Sequence, residues 1–300
     1  MGQREILMQQ EDNIEPINLG GGVIVFKNAI NLDWNNVYTL CSGLIKDEHL
    51  EMYQPGVDPE TGNDIYFNKS GYIFTKNSID EMPKRASRIH QIQDKNIKSI
   101  FNEIERLKDE CLLRYFEQFP LSYNCVWWKV KGHIVSYGPD VYLGSHSDIS
   151  AEYVYGVHKT NHELALRNVI TSLVYLNDSV DTDNELNEYN YTKGHHYFNY
   201  LDIEYKPKAG DILMFPSNYI AAHEVKPVGS GVRFSYLGWY SQGTPNPSVN
   251  EEVCDPVLNP GAAAVGTNIY MPDLRDNYRR YLKSKGYSEY SDQYKVTNFG

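Results

Sequence analysis

No apolar run in the 300 residues approaches the ~20 that a membrane-spanning helix needs. Cysteine is scarce, and Cys41, Cys111, Cys125 and Cys254 lie far apart with no CxxC pair. That excludes a zinc ribbon or a redox dithiol and predicts buried free thiols in a reducing compartment. Positive charge is also in deficit: 28 Lys and Arg face 39 Asp and Glu, for a net charge of −11 and a pI near 5.3. A duplex-binding protein presents a basic face, so nucleic acid is a poor default partner. The N-terminal stretch MGQREILMQQEDNIEP lacks the basic-then-apolar order of a signal peptide. The expectation is a soluble, cytoplasmic protein.

What remains reads as one globular chain with 41% hydrophobic residues, enough for a substantial core. Gly22 to Phe26 reads as a buried strand, and Asn31 is placed to cap a following helix. Residues 53 to 82 read as loop with short strands. From Pro83 the pattern turns helical: Ile89, Ile92, Ile97, Ile100, Phe101, Ile104 and Leu107 recur at helical spacing, continuing to Phe116, with Pro120 beyond the end. Strand language follows at Val126 to Tyr137, Asn168 to Leu176, Asp211 to Phe215 and Val232 to Tyr240. Short strands without intervening helices argue a β-sandwich or barrel over about 121–241. The expected organisation is a single mainly-β (α+β) domain with flanking helices. Residues 1–120 supply a strand and supporting helices, 121–241 the core, and 242–300 a tail with one helix from Pro272 to Ser284. A polar stretch, 178–195, is too long for a hairpin turn and reads as a lid or a solvated loop.

Most of the nine histidines carry no metal pattern. His158 and His162 lack the glutamate of a zincin. His195 and His196 are adjacent, so a strand would send them to opposite sides, and His49, His90 and His133 have no partners nearby. Each is read as a surface or core histidine. His146-Ser147-Asp148 differs, because residues i and i+2 of a strand share a face. His223, after the strand DILMF, is placed to complete a set of two histidines and one carboxylate. Such a set covers one face of an octahedral iron(II) and leaves positions open for chemistry. Zinc is the rival claimant.

Gly229-Ser230-Gly231 looks like a hairpin turn. If it closes a three-residue loop, Val228 pairs with Val232, and Arg233 stands opposite Pro227 on the face of His223. Arg233 would then lie about four strand steps, roughly 13 Å, from the level of His223. A guanidinium there is suited to clamp the far carboxylate of a bound dicarboxylate, with Ser235 on the same face as a second donor.

These residues resemble the 2-oxoglutarate/iron(II) dioxygenase superfamily, in particular its prolyl 4-hydroxylase-like branch. The H-x-D, distant His and basic residue ten positions later are His146, Asp148, His223 and Arg233. Tyr137-Gly138-Pro139 matches a tyrosine at a Gly/Pro turn upstream. The T-x-x-x-Y-L-N strand is matched by Thr171, Tyr175, Leu176 and Asn177, and the P-x-x-G-D-x-x-x-F strand by Pro207, Gly210, Asp211 and Phe215. Trp239 matches the tryptophan six residues past the basic one. The G-G-E-T segment of the family is absent, with 178–195 in its place, and Arg167 lies one position further from the threonine than usual. The Tyr- and Asn-rich, acidic style is similar to that of superfamily members from marine cyanobacterial phages.

The resemblance implies a double-stranded β-helix (jelly-roll) core and iron(II) on His146, Asp148 and His223. It implies 2-oxoglutarate contacts from Tyr137, Thr171, Arg233, Ser235 and Trp239. It implies a hydroxylase that consumes 2-oxoglutarate and O2, releases succinate and CO2, and acts on a peptidyl side chain or small metabolite. Asp148 speaks against halogenation, since halogenases of this type lack the metal-binding carboxylate. The alternatives are a non-catalytic jelly-roll binding or structural protein and a cupin-type metal-dependent isomerase. Trp127 and Trp128 read as core packing or a substrate groove.

Overall fold

The apolar runs that read as strands join one sheet. The computed structural model describes residues 14–48, 53–57, 64–68, 73–75, 84–88, 94–149, 151–153, 165–242, 268–271 and 273–288. The chain begins with β1 (Pro16–Gly20), β2 (Val23–Phe26) and α1 (Trp34–Glu48). β3 (Tyr53–Val57), β4 (Asp64–Asn68) and β5 (Ile73–Thr75) form a small antiparallel sheet of their own. β6 (Lys84–Arg88) and α2 (Lys95–Gln118) lead into β7 (Trp128–Tyr137), β8 (Leu143–His146), β9 (Ala151–Tyr153) and β10 (Ala165–Tyr175). Then come β11 (Ser179–Val180), β12 (Tyr191–Lys193), β13 (His196–Phe198), β14 (Ile203–Tyr205) and β15 (Ile212–Pro216). β16 (His223–Val225), β17 (Val228–Gly231), β18 (Arg233–Gln242), β19 (Asn268–Tyr270) and α3 (Leu274–Ser284) complete the order.

The large sheet runs β1-β2-β15-β10-β18-β7-β19, with β6 also on β7 and β9 on β10. A four-stranded sheet, β14-β13-β16-β8, supplies the other wall of the site. This mainly-β architecture is the double-stranded β-helix. Strand alternation sorts the side chains of the large sheet. Thr171, Leu173, Leu213, Phe215, Ser235 and Leu237 reach the site or the apolar cluster beside it, while Ile170, Val174, Met214, Phe234 and Tyr236 join the cluster under the helices.

Helix α2 covers that second face. Ile97, Phe101, Ile104, Leu112 and Phe116 recur three or four residues apart or in multiples of a turn, forming one buried stripe. Burying each of these side chains is worth roughly 1.5–3 kcal/mol. Asp94 caps the helix, its carboxylate accepting the N–H groups of Asn96 (2.7 Å) and Ile97 (3.1 Å). Helix α3 packs on its far end, where Tyr278 meets Phe116 and Tyr123.

Several sequence expectations change here. The long helix starts at Lys95, not near Pro83, because Asp94 supplies the cap and Lys84–Arg88 pairs with β7 as a strand. Ile89, His90 and Ile92 lie outside the described residues, as do His49, His158, His162 and Cys254. Asp33 rather than Asn31 caps α1, accepting the N–H of Asn36 at 3.2 Å. The C-terminal helix begins at Leu274, two residues after Pro272. Trp128 is buried core, whereas Trp127 stacks on the Arg275 guanidinium. Cys41 and Cys111 are buried free thiols, and Cys125 is a partly buried one.

The largest correction concerns Gly229-Ser230-Gly231, which does not turn β17 back onto β18. β17 pairs with β12, matching Tyr191 to Gly231 and Lys193 to Val228. Gly231 makes this possible: its φ of +81° is in the left-handed region, and a Cβ there would lie 2.4 Å from the Asn190 carbonyl oxygen. The partner strand lies inside 178–195, of which residues 181–188 are the solvated loop that one reading expected. The buried part of the segment, from Asn190 on, is an ordered wall, and the segment is pinned where Asn177 donates to the carbonyls of Tyr189 (3.0 Å) and Val232 (2.8 Å).

Candidate active site

Three ligand-type side chains meet at one end of the cleft between the sheets. His146 ends β8, His223 starts β16, and the two residues pair directly across the ladder. Asp148 lies just past the end of β8, so strand parity alone does not place it. Donor atoms of the three all lie within 4.8 Å of one another. His146 Nε2 is 3.5 Å from Asp148 Oδ1, and His223 Nε2 is 3.8 Å from Oδ2. His146 Nδ1 lies 2.9 Å from the Gly144 carbonyl and His223 Nδ1 lies 3.0 Å from that of Ala221. A carbonyl oxygen only accepts, so each ring carries a proton on Nδ1 and turns Nε2 toward Asp148, as a proton donor while the ring is charged and as a metal ligand once it is neutral.

The carboxylate is held in its charged form. Burial alone would raise the Asp148 pKa, but His146, His223 and the Thr171 hydroxyl bring it down to about 2. Thr171 Oγ1 donates to Asp148 Oδ2 at 2.7 Å. Its proton being spent there, it accepts from Ser217 Oγ at 2.9 Å. Ser217, Thr171 and Asp148 thus form a directed chain that fixes the carboxylate. Two histidines and one carboxylate on converging donors suit an iron(II) site with open positions.

Arg233 lies at the other end of the cleft. It starts β18 opposite Tyr137 and is 1% exposed. Its guanidinium carbon sits 5.0 Å from the centre of the Tyr137 ring and 5.5 Å from that of Tyr175. Nη1 donates to Ser235 Oγ at 3.4 Å, but Nε and Nη2 have no hydrogen-bond partner. The buried hydroxyls of Tyr175 and Tyr191 are unpartnered too, and both feel the Arg233 charge. Leaving a charged group's donors buried and unmet is costly. A carboxylate would satisfy them, so these residues fit an anionic ligand.

Of the residues picked out by sequence, Tyr137, His146, Asp148, Thr171, His223, Arg233 and Ser235 all line this cleft. Trp239 does not. It pairs with Thr171 across the ladder and lies 5.4 Å from the His133 ring, outside the lining. Sequence reasoning missed four residues: Tyr175, Tyr191, His196 and Ser217. Parity could have found two of them, since Tyr175 shares a face with Thr171, and either His195 or His196 had to face inward. His195 faces out, its Nδ1 2.8 Å from Glu204 Oε1. His196 faces in, is 2% exposed, and stacks on His223 with ring centres 4.7 Å apart and planes at 19°. Burial pushes its pKa well below the usual histidine range, and the neighbouring His223, Arg233 and His146 add to that, so the ring is neutral. Tyr191 and Ser217 lie in segments where no periodic pattern pointed inward.

Residues 132–241 match the family model described as the 2OG-Fe(II) oxygenase superfamily. Over this segment the chain is similar to 2OG-Fe(II) oxygenases, enzymes that use iron(II), 2-oxoglutarate and O2, and the His146, Asp148 and His223 set lies within it. No curated protein matches the chain. Among solved structures it is similar to the viral collagen prolyl hydroxylase of Paramecium bursaria Chlorella virus-1, a 2OG complex. Identity is 14%, covering 74% of this chain and 97% of that one, with a TM-score of 0.43. A Pseudomonas putida prolyl-4-hydroxylase matches at 16% identity, over 79% of this chain and 98% of its own, TM-score 0.43. A Trichoplax adhaerens prolyl hydroxylase, in complex with a hypoxia inducible factor peptide fragment, matches at 16% identity, 81% and 94% coverage, TM-score 0.45.

Proposed function

We propose that the chain holds iron(II) on His146, Asp148 and His223, anchors the far carboxylate of 2-oxoglutarate on Arg233, and hydroxylates a peptidyl side chain or small metabolite. The observation that carries this reading is the buried Arg233 guanidinium, two of its nitrogens unmet, in the cleft whose mouth holds the His–Asp–His set. Iron(II) with 2-oxoglutarate supplies the oxidising chemistry, turning the 2-oxo acid into succinate and CO2 as dioxygen is reduced. The protein's part is geometry and water exclusion. Thr171 orients Asp148, and the Nδ1 protons of both histidines fix their rings. Ser235 and Tyr137 flank the guanidinium and steer it.

Large apolar side chains near the metal ligands support an organic substrate with apolar surface. Ile149 follows Asp148 and is 53% exposed, while Tyr219 (69%) and Ile220 (46%) precede His223. A non-catalytic jelly-roll or a cupin-type isomerase has no use for an unmet guanidinium beside that metal set. We also take residues 1–300 as one domain, with 121–241 as its catalytic core. Pairing of β2 with β15 and of β19 with β7 supports this. Among the described residues no helix is long and apolar enough to cross a membrane, and we keep the cytoplasmic reading as a proposal.

The test is visible absorption under anaerobic conditions. Adding iron(II) and then 2-oxoglutarate should produce a weak metal-to-ligand charge-transfer band that vanishes in His146→Ala. A folded wild type that gives no band would overturn the proposal.

A further inference from the structure

We propose that His196 donates a hydrogen bond to the 2-oxo acid bound in the cleft, a contact separate from the metal ligands and from Arg233. The inference rests on the function proposed above and names a residue outside the expected ligand sets.

In the β13–β16 ladder Phe198 pairs with His223 and His196 pairs with Val225. His196 therefore stands one layer deeper than the metal end. Val225 packs in one cluster with Tyr137, the residue that stacks on Arg233. Two residues before His196, a Cβ on Gly194 would lie 3.4 Å from Arg233 Cδ. His196 thus lies on the path from His223 to Arg233, which a bound 2-oxo acid must follow.

Neither ring nitrogen of His196 has a hydrogen-bond partner. The ring is walled by Phe198 at 4.9 Å, Phe215 at 5.6 Å and His223 at 4.7 Å, none of which offers an oxygen acceptor. Arg233, the other polar group nearby, only donates. If the ring served packing alone, an apolar side chain would fill the same wall without two stranded polar atoms. The ring lines the open cleft, where carboxylate oxygens of a 2-oxo acid can accept its N–H.

The experiment is calorimetric titration of 2-oxoglutarate into zinc(II)-substituted protein, which binds without turning over. His196→Phe keeps the aromatic contact with His223 and removes the donor, while His196→Gln restores a donor. His196→Phe is expected to weaken 2-oxoglutarate roughly ten- to a hundredfold, the loss of one hydrogen bond to a charged acceptor. His196→Gln should recover much of it, and zinc affinity should hold in both. In the unmutated protein the His196 imidazole 15N signals should shift when 2-oxoglutarate is added. His196→Phe binding as tightly as wild type, or imidazole signals that do not move, would overturn this inference alone. A wild type that takes up no 2-oxoglutarate would overturn the proposed function with it.

Discussion

The two faces of β18 carry two buried polar clusters that differ in how they are satisfied. On the helix face, Glu105 Oε1 accepts from the Tyr236 hydroxyl at 2.6 Å, from Lys108 Nζ at 3.1 Å and from the Gly132 N–H at 3.2 Å. Lys129 Nζ lies 3.2 Å from Glu105 Oε2 and 2.5 Å from Asp109 Oδ2, and Tyr240 donates to Asp109 at 3.0 Å. Two carboxylates meet two ammonium groups, and each charge has an ion-pair partner, although Glu105 Oε2 accepts no hydrogen bond. Gly132 allows the close approach, since a Cβ there would lie 2.5 Å from the Tyr236 ring. On the cleft face, polar atoms of Arg233, Tyr175, Tyr191 and His196 lack a well-formed hydrogen bond, the tyrosine hydroxyls having only the Arg233 guanidinium to turn to. A network closed on itself holds the fold together, whereas one left open waits for a ligand.

Substitutions at either face separate the two clusters. Glu105→Gln should have the largest effect on stability. It strands Lys108 and Lys129, so unfolding in denaturant should show a loss of about 3–5 kcal/mol. 2-Oxoglutarate affinity should change little. Arg233→Met comes next, with 2-oxoglutarate binding weakened by about a hundredfold or more in calorimetry, yet no loss of stability in the ligand-free protein. Equal damage from both substitutions to both properties would erase the distinction. Thr171→Val removes the donor that fixes Asp148 and should cost roughly 10–100-fold in metal affinity, measured by competition with a chelator.

Acid should reveal the closed network by a smaller effect. Burial would raise the Glu105 pKa, but Lys108, Lys129, Tyr236 and Gly132 hold it down to about 2, against an ordinary value of 4.5. A depressed carboxylate contributes stability that is fully present above its unfolded pKa and is lost as pH falls through the folded one. The stability gap between wild type and Glu105→Gln should therefore be constant above about pH 5 and close steadily between pH 4.5 and 2. A gap that stays constant down to pH 2 would contradict the assignment.

Strands were legible where parity is a local property. The pattern around β7, β10, β15 and β18 placed each run within a few residues, and Thr171 and Ser235 came out on the correct face. The metal set was legible because His146 ends one short strand, His223 starts another, and the two pair directly. Arg233 was assigned inward through a hairpin that does not exist. The conclusion held because its direction depends on β18 alone, while the pairing of β17 depends on a strand some forty residues away. Residues that act through long-range partners were illegible for the same reason. Asn177 and Asp211 belong to quoted motifs, yet their work is structural: Asn177 accepts the Phe234 N–H at 2.8 Å, and Asp211 that of Asn28 at 2.8 Å. Glu105 and Lys108 looked like one more polar turn of an amphipathic helix, and only the tertiary fold shows them buried.

The most direct measurement is the melting temperature of wild type and Arg233→Met, each alone, with zinc(II), and with zinc(II) plus 2-oxoglutarate. A ligand that binds only the folded state raises the melting temperature by mass action. Both proteins should melt at similar temperatures alone and gain equally from zinc, and only wild type should gain further from 2-oxoglutarate. An Arg233→Met protein that melts well below wild type when ligand-free, yet is stabilised by 2-oxoglutarate to the same degree, would show that Arg233 holds the fold and that the open cluster is not the ligand's site.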